Sequence, residues 1–120
     1  MVNYRRNYIP GGTYFFTVTL KNRLSTLLTQ NINLLRQVTA RVNHENPYTI
    51  LAIVILPDHI HAIWELPTND KNYSLRWGKI KSYFTHGLIK KAFHYLKIIA
   101  MNLIYGKKDF GNTPLEMRMI

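Results

Sequence analysis

Residues 47–66 read PYTILAIVILPDHIHAIWEL, and the fold turns on how this stretch changes period at its middle. From Ile50 to Leu56 the run is unbroken and apolar, of the β-branched kind that a buried strand favours. Pro57-Asp58 then supplies a turn, because proline fixes φ and aspartate bonds back to its own backbone. Beyond the turn the pattern is strict alternation. His59, His61, Ile63 and Glu65 share one side of a strand, while Ile60, Ala62, Trp64 and Leu66 share the other. The second set belongs in a core. The first then displays two imidazoles, roughly 6–7 Å apart along the strand, with a carboxylate further on.

Composition bounds what surrounds this hairpin. A chain of 120 residues with 47% apolar and 18% charged side chains forms one globular domain with a modest core, not a disordered segment. Sixteen Lys and Arg against six Asp and Glu leave a formal charge of +10, which points to a polyanionic partner, nucleic acid first. The absence of cysteine excludes disulfides and thiolate metal sites. Arg5-Arg6 leads into a Pro-Gly-Gly turn instead of an apolar stretch, so no signal peptide is read there. The apolar tract from Ala92 to Tyr105 is broken by His94, Lys97 and Asn102 and is too short to span a bilayer. A cytoplasmic protein without a membrane partner is expected.

Working outward, Tyr14 to Leu20 reads as a strand rich in aromatic and β-branched residues. Asn31 to His44 reads as a helix, with Ile32, Leu35, Val38 and Val42 on one stripe and Asn46-Pro47 as its stop. After the hairpin, Thr68-Asn69-Asp70 makes a loop, and Ser74 caps a second helix running to about Ile89. Trp77, Ile80, Phe84 and Leu88 form its apolar stripe. Arg76, Lys79, Tyr83, His86 and Lys90 form a second stripe able to track a phosphate backbone, with Lys81 on the same helix. A solvated surface is the plain alternative, and the net charge weighs against it. The order strand, helix, strand, strand, helix is that of an α+β, ferredoxin-like fold: an antiparallel sheet with helices on one face, here short of its last strand. The tail beyond Ala92 shows neither strand nor helix rhythm.

A His-x-His pair on a strand serves as surface residues, as metal ligands or as an acid–base pair, and spacing leaves all three open. The segments NYRRNYIPGGTYFFTVTL, LAIVILPDHIHAIWELP and YSLRWGKIKSYF, in this order and spacing, closely resemble the REP-associated tyrosine transposases. These are relatives of the single-tyrosine HUH transposases of small bacterial insertion sequences. The resemblance covers about residues 2–91. It implies an HUH nuclease domain in which His59 and His61 hold Mg2+ or Mn2+. It further implies a helical tyrosine that attacks a phosphodiester of single-stranded, hairpin-flanked DNA, forming a 5′-phosphotyrosyl bond and leaving a 3′-hydroxyl. Arg5, Arg6 and the basic helix stripe would hold the DNA.

The resemblance stops where that tyrosine should stand. The family pattern is Tyr-Ile-x-x-Asn, one helical turn apart, and no such pattern occurs here. Tyr105, with Asp109 four residues on, is the remaining candidate, but Gly106 lies inside the pair and the surroundings do not match. Regrouping codons by one base across Tyr105 to Ile120 permits synonyms that spell family-like motifs. A frameshift near Ala92 is therefore expected, with a nuclease-like domain over 1–91, an out-of-frame tail over 92–120, and no last strand or catalytic helix. Such a chain would be a transposase-like, DNA-binding relic without its nucleophile, with a bared sheet edge and marginal stability. The alternative is a nucleic-acid-binding module with no chemistry.

Overall fold

The alternating stretch forms β3, His59–Glu65, and pairs antiparallel on both sides: with β1, Thr13–Leu20, and with β2, Thr49–Ile55. The computed structural model describes residues 10–103 and 117–119. A short strand β4, Met117–Met119, completes the sheet in the order β2-β3-β1-β4. The helices are α1, Leu27–Gln30, α2, Ile32–Glu45, and α3, Tyr73–Leu103. This is the expected α+β, ferredoxin-like arrangement. Among the described residues, no helix is long and apolar enough to cross a membrane.

The sheet has one packed side. Ile60, Ala62 and Trp64 are buried along β3, and Phe16, Val18 and Leu20 join them from β1. Against these lie Leu35, Val38 and Val42 of α2 and Trp77, Ile80 and Phe84 of α3, the stripes expected from their spacing. Trp64 and Trp77 stack with ring centroids 4.5 Å apart and planes 11° from parallel, and Phe16 meets both edge-on. Each such side chain stabilises the fold by about 1.5–3 kcal/mol through burial alone. The aromatic cluster thereby fixes β1 and β3 to α3.

Four details differ from the sequence reading. The Ile50–Leu56 run is not a buried strand: β2 is the sheet edge, and Leu51 and Val54 are each 53% exposed. The helical stripes are taken up by β1 and β3, and a register shift between Ile50 and Ala52 leaves Leu51 out of the pairing. The cap of α3 is Asn72, whose side-chain oxygen accepts the N–H of Leu75, while Ser74 already lies inside the helix. That helix runs past Ile89 to Leu103, since no glycine or proline interrupts 88–103, and its last turns outrun the core, leaving Phe93 and Met101 exposed. Finally, β4 pairs with Val18, Thr19 and Leu20, where no strand was expected; an open strand edge is itself a template for pairing.

Arg76 departs furthest from expectation. It is not on a phosphate-tracking surface but 1% exposed. Its Nε donates to the carbonyl of Asn46, Nη1 to the Asn72 carbonyl and Asp70 Oδ1, and Nη2 to the Pro47 carbonyl and Asp70 Oδ2, all within 2.7–3.1 Å. All five N–H donors of the guanidinium are thus used. One side chain ties the end of α2 and the approach to β2 to the start of α3. The same bonds hold the Asp70 carboxyl below its ordinary range. Arg76→Met is expected to lose about 3–5 kcal/mol in urea unfolding, because it strands a carboxylate and three carbonyls together. Stability within error of the wild type would contradict this role.

Candidate metal and nucleic-acid site

The side of the sheet opposite the helices carries the histidines. Cross-strand register sets Thr19 opposite His59, Thr17 opposite His61 and Phe15 opposite Ile63. The two imidazoles share that side, as the alternation requires, with ring centroids 4.9 Å apart and planes nearly perpendicular. Both rings are half-buried, held in place yet reachable.

Each ring is anchored through one nitrogen. His59 Nδ1 lies 2.8 Å from Asp58 Oδ1, and His61 Nδ1 lies 3.0 Å from the Thr17 hydroxyl. An ionised carboxylate only accepts, so the Asp58 bond places the proton of neutral His59 on Nδ1 and its lone pair on Nε2. The Arg23 guanidinium, and then His59, bond the Asp58 carboxylate and lower its pKa from 3.8 to about 2, which extends its ionised range to lower pH. This replaces the turn role expected of its side chain. The backbone of the turn is held instead by the Leu20 N–H on the Asp58 carbonyl and the Leu28 N–H on that of Pro57. With its Nδ1 on Asp58, His59 keeps Nε2 for a ligand, the arrangement of metal-binding histidines, and the Thr17 hydroxyl is able to accept the His61 Nδ1–H in the same way. Neutral imidazoles suit a divalent ion, and two of them leave positions open for other oxygens. Among the described residues no third His, Cys, Asp or Glu joins the pair, and Glu65 lies two pleats beyond His61 along the strand.

Thr17, Asp58, Arg23 and Phe15 escaped the sequence reading. Asp58 stands beside the motif, but its partner Arg23 and the partnership of Thr17 with His61 come from strand register, which spacing within one segment does not give. Phe15 is 64% exposed with its ring nearly parallel to His61, centroids 5.9 Å apart.

The basic helix residues lie elsewhere. As part of α3 they belong to the helical layer, across the sheet from the histidines. Lys79 donates to Glu45 Oε1 and Asn46 Oδ1, and the Tyr83 hydroxyl donates to Glu45 Oε1 at 2.7 Å. Arg41 bonds the other Glu45 oxygen and covers the Tyr83 ring at 3.8 Å. His86 and Lys90 line a groove of about 480 Å³ between α2 and α3, and Lys81 is half-buried. Of the described tyrosines, Tyr14, Tyr48 and Tyr73 pack in or against the core and Tyr83 and Tyr95 belong to α3, so none stands on the histidine side. Arg5, Arg6 and Tyr105 lie outside the described residues.

No protein-family model matches the chain. It is 51% identical over 86 residues to a REP-associated tyrosine transposase of Escherichia coli strain K12, across 72% of this chain and 52% of that one. A Haemophilus influenzae protein assigned to the same family is 42% identical over 97 residues, across 81% and 55% of the two chains. The chain therefore spans about half the length of the curated relatives it matches. Among solved structures, a REP-associated tyrosine transposase bound to a REP hairpin superposes with a TM-score of 0.73 at 36% identity, covering 100% of this chain and 61% of that one. A Deinococcus radiodurans protein assigned as a transposase superposes with a TM-score of 0.59 at 16% identity, over 99% and 85% of the chains, and shows the shared fold alone.

The Glu45 cluster gives a pH signature. Bonds from Tyr83, Lys79 and Arg41 lower its pKa from 4.5 to about 2. A depressed carboxylate contributes stability that is full above the unfolded value and is lost as pH falls through the folded one. Wild type is therefore expected to melt above Glu45→Gln at neutral pH, with the gap closing as pH drops from 4.5 toward about 2. A gap independent of pH in parallel thermal melts would contradict the assignment.

Proposed function

From the premise that this chain belongs to the REP-associated tyrosine transposase family, we propose that it is the histidine-bearing half of a single-strand DNA endonuclease domain. It binds hairpin-flanked single-stranded DNA and does not cleave it through a tyrosine of its own. The observation that carries this reading is the pair of anchored imidazoles with both Nε2 atoms directed away from their supports.

His59 and His61 would hold Mg2+ or Mn2+, and a divalent ion bound there supplies charge neutralisation at a phosphate. Thr17 and Asp58 fix the ring orientations, and Arg23 holds the Asp58 carboxylate in place, so the rings are positioned before any ligand arrives. Electrostatics supply the rest: the net charge of +10 draws a polyanion toward the domain. Arg5, Arg6, His86 and Lys90 remain cations proposed to touch phosphate, and Lys81 is proposed with them although it too makes a contact within the fold; Arg76 and Lys79 are engaged by Asp70 and Glu45.

A phenol with a pKa of about 10 attacks phosphate only when activated and close by. No described tyrosine meets that condition, which supports the absence of cleavage. The residues after about Ala92 are proposed to be read out of frame. Sequencing the gene tests this: the neighbouring frame downstream should encode Tyr-Ile-x-x-Asn, and its absence there would end the frameshift reading.

The direct assay is a denaturing and a native gel with a hairpin-bearing oligonucleotide and Mn2+. Expected are salt-sensitive binding, no covalent adduct, and weaker binding by the His59→Ala/His61→Ala variant. An adduct abolished by Tyr105→Phe would show that a nucleophile persists in this chain. Binding indifferent to metal and to both histidines would favour a nucleic-acid module without chemistry, and no binding would overturn the proposal. Thr17→Val is expected to weaken Mn2+ binding about 10–100-fold in calorimetry by releasing the His61 ring.

A further inference from the structure

We infer that Phe15 is a stacking platform for an unpaired nucleobase beside the histidine pair. The inference rests on the function proposed above and adds a residue, and a ligand part, that the resemblance does not assign. β1 alternates so that Phe16, Val18 and Leu20 enter the core, which puts Phe15 on the open side with Thr17. A phenylalanine 64% exposed in mid-sheet is costly to leave in water, yet its neighbours keep it in place. His61 lies nearly parallel to it, 11° between planes, and Ile63 faces it across the strand pair.

The occupant follows from three features together. The surface is built of strand residues around the exposed Phe15 ring, and such a ring suits a planar group. It adjoins the His61 ring, which is proposed to hold a divalent ion that meets a phosphate. It sits on a protein of net charge +10, which concentrates nucleic acid over other planar ligands. A base laid on Phe15 would continue the Phe15–His61 pair as another ring and hold its own backbone close to the histidines. Base–aromatic stacking of this kind tolerates any base, since every base has a π-face. The same contact would make the site select single strands, because a paired base has both faces covered.

The test compares two oligonucleotides, a hairpin with a single-stranded extension carrying 2-aminopurine and the same hairpin without it. Wild type, Phe15→Leu and Phe15→Trp are titrated with each in Mn2+ buffer, and Mn2+ affinity is measured without DNA. Stacking predicts that Phe15→Leu weakens binding of the extended oligonucleotide about tenfold and abolishes its 2-aminopurine quenching. Phe15→Trp should retain both, and the bare hairpin and Mn2+ affinities should not change. Equal losses on both oligonucleotides, or no loss on either, would overturn the inference. A fall in Mn2+ affinity with Phe15→Leu would overturn it too, showing that Phe15 only props the His61 ring. Failure of wild type to bind either oligonucleotide would strike the underlying function, an outcome distinguishable from these.

Discussion

The register of β3 between β1 and β2 is the constraint on which the molecule depends. Antiparallel pairs alternate sides with a period of two, so a slip of one residue would send Trp64 to solvent and His61 into the core. That slip is opposed from both directions. Inward, Trp64 is locked against Trp77, Phe16 and Tyr48. Outward, Thr17 meets His61 only in the observed pairing. Core packing and site geometry are thus two consequences of one hydrogen-bond ladder.

The acidic residues show a second economy. The chain has six against sixteen Lys and Arg, and among the described residues three of the six organise cations. Asp70 fixes Arg76, Glu45 gathers Lys79 and Arg41 with Tyr83, and Asp58 links Arg23 to His59. The first two contacts join helices and loop, so part of the basic charge on α3 serves the fold. The third serves the histidines. Only part of the helical stripe is consequently offered to a polyanion, and that part lies across the sheet from the imidazoles.

Much of this was legible in the sequence, for definite reasons. The histidine face came from strict alternation, and the helix stripes from repeats of three and four that a core must satisfy. The edge position of β2 was not legible. An unbroken apolar run looks the same whether a helix covers it or not, and only the packing of α2 and α3 on β1 and β3 decides. The burial of Arg76 was hidden for a related reason: its partners are carbonyls of Asn46, Pro47 and Asn72, and backbone acceptors carry no sequence signature. The end of α3 was missed because the tract after Ile89 lacks period; absence of a breaker sufficed for helix where no core demanded a stripe. Family resemblance reached the histidines and missed their supports, since Thr17 meets His61 only through register with β3 and Arg23 meets Asp58 only in the fold.

The central claim is that His59 and His61 together form the divalent-ion site of this domain. The chain contains five histidines, and His44, His86 and His94 serve as internal references. Proton NMR of the imidazole rings during addition of substoichiometric Mn2+ addresses the claim directly, because the ion broadens nearby resonances in proportion to its residence. The account predicts that the rings of His59 and His61 broaden first and together, with the other three unaffected at the same Mn2+ level. Broadening that begins at His44, His86 or His94, or that reaches only one of the pair, would contradict it.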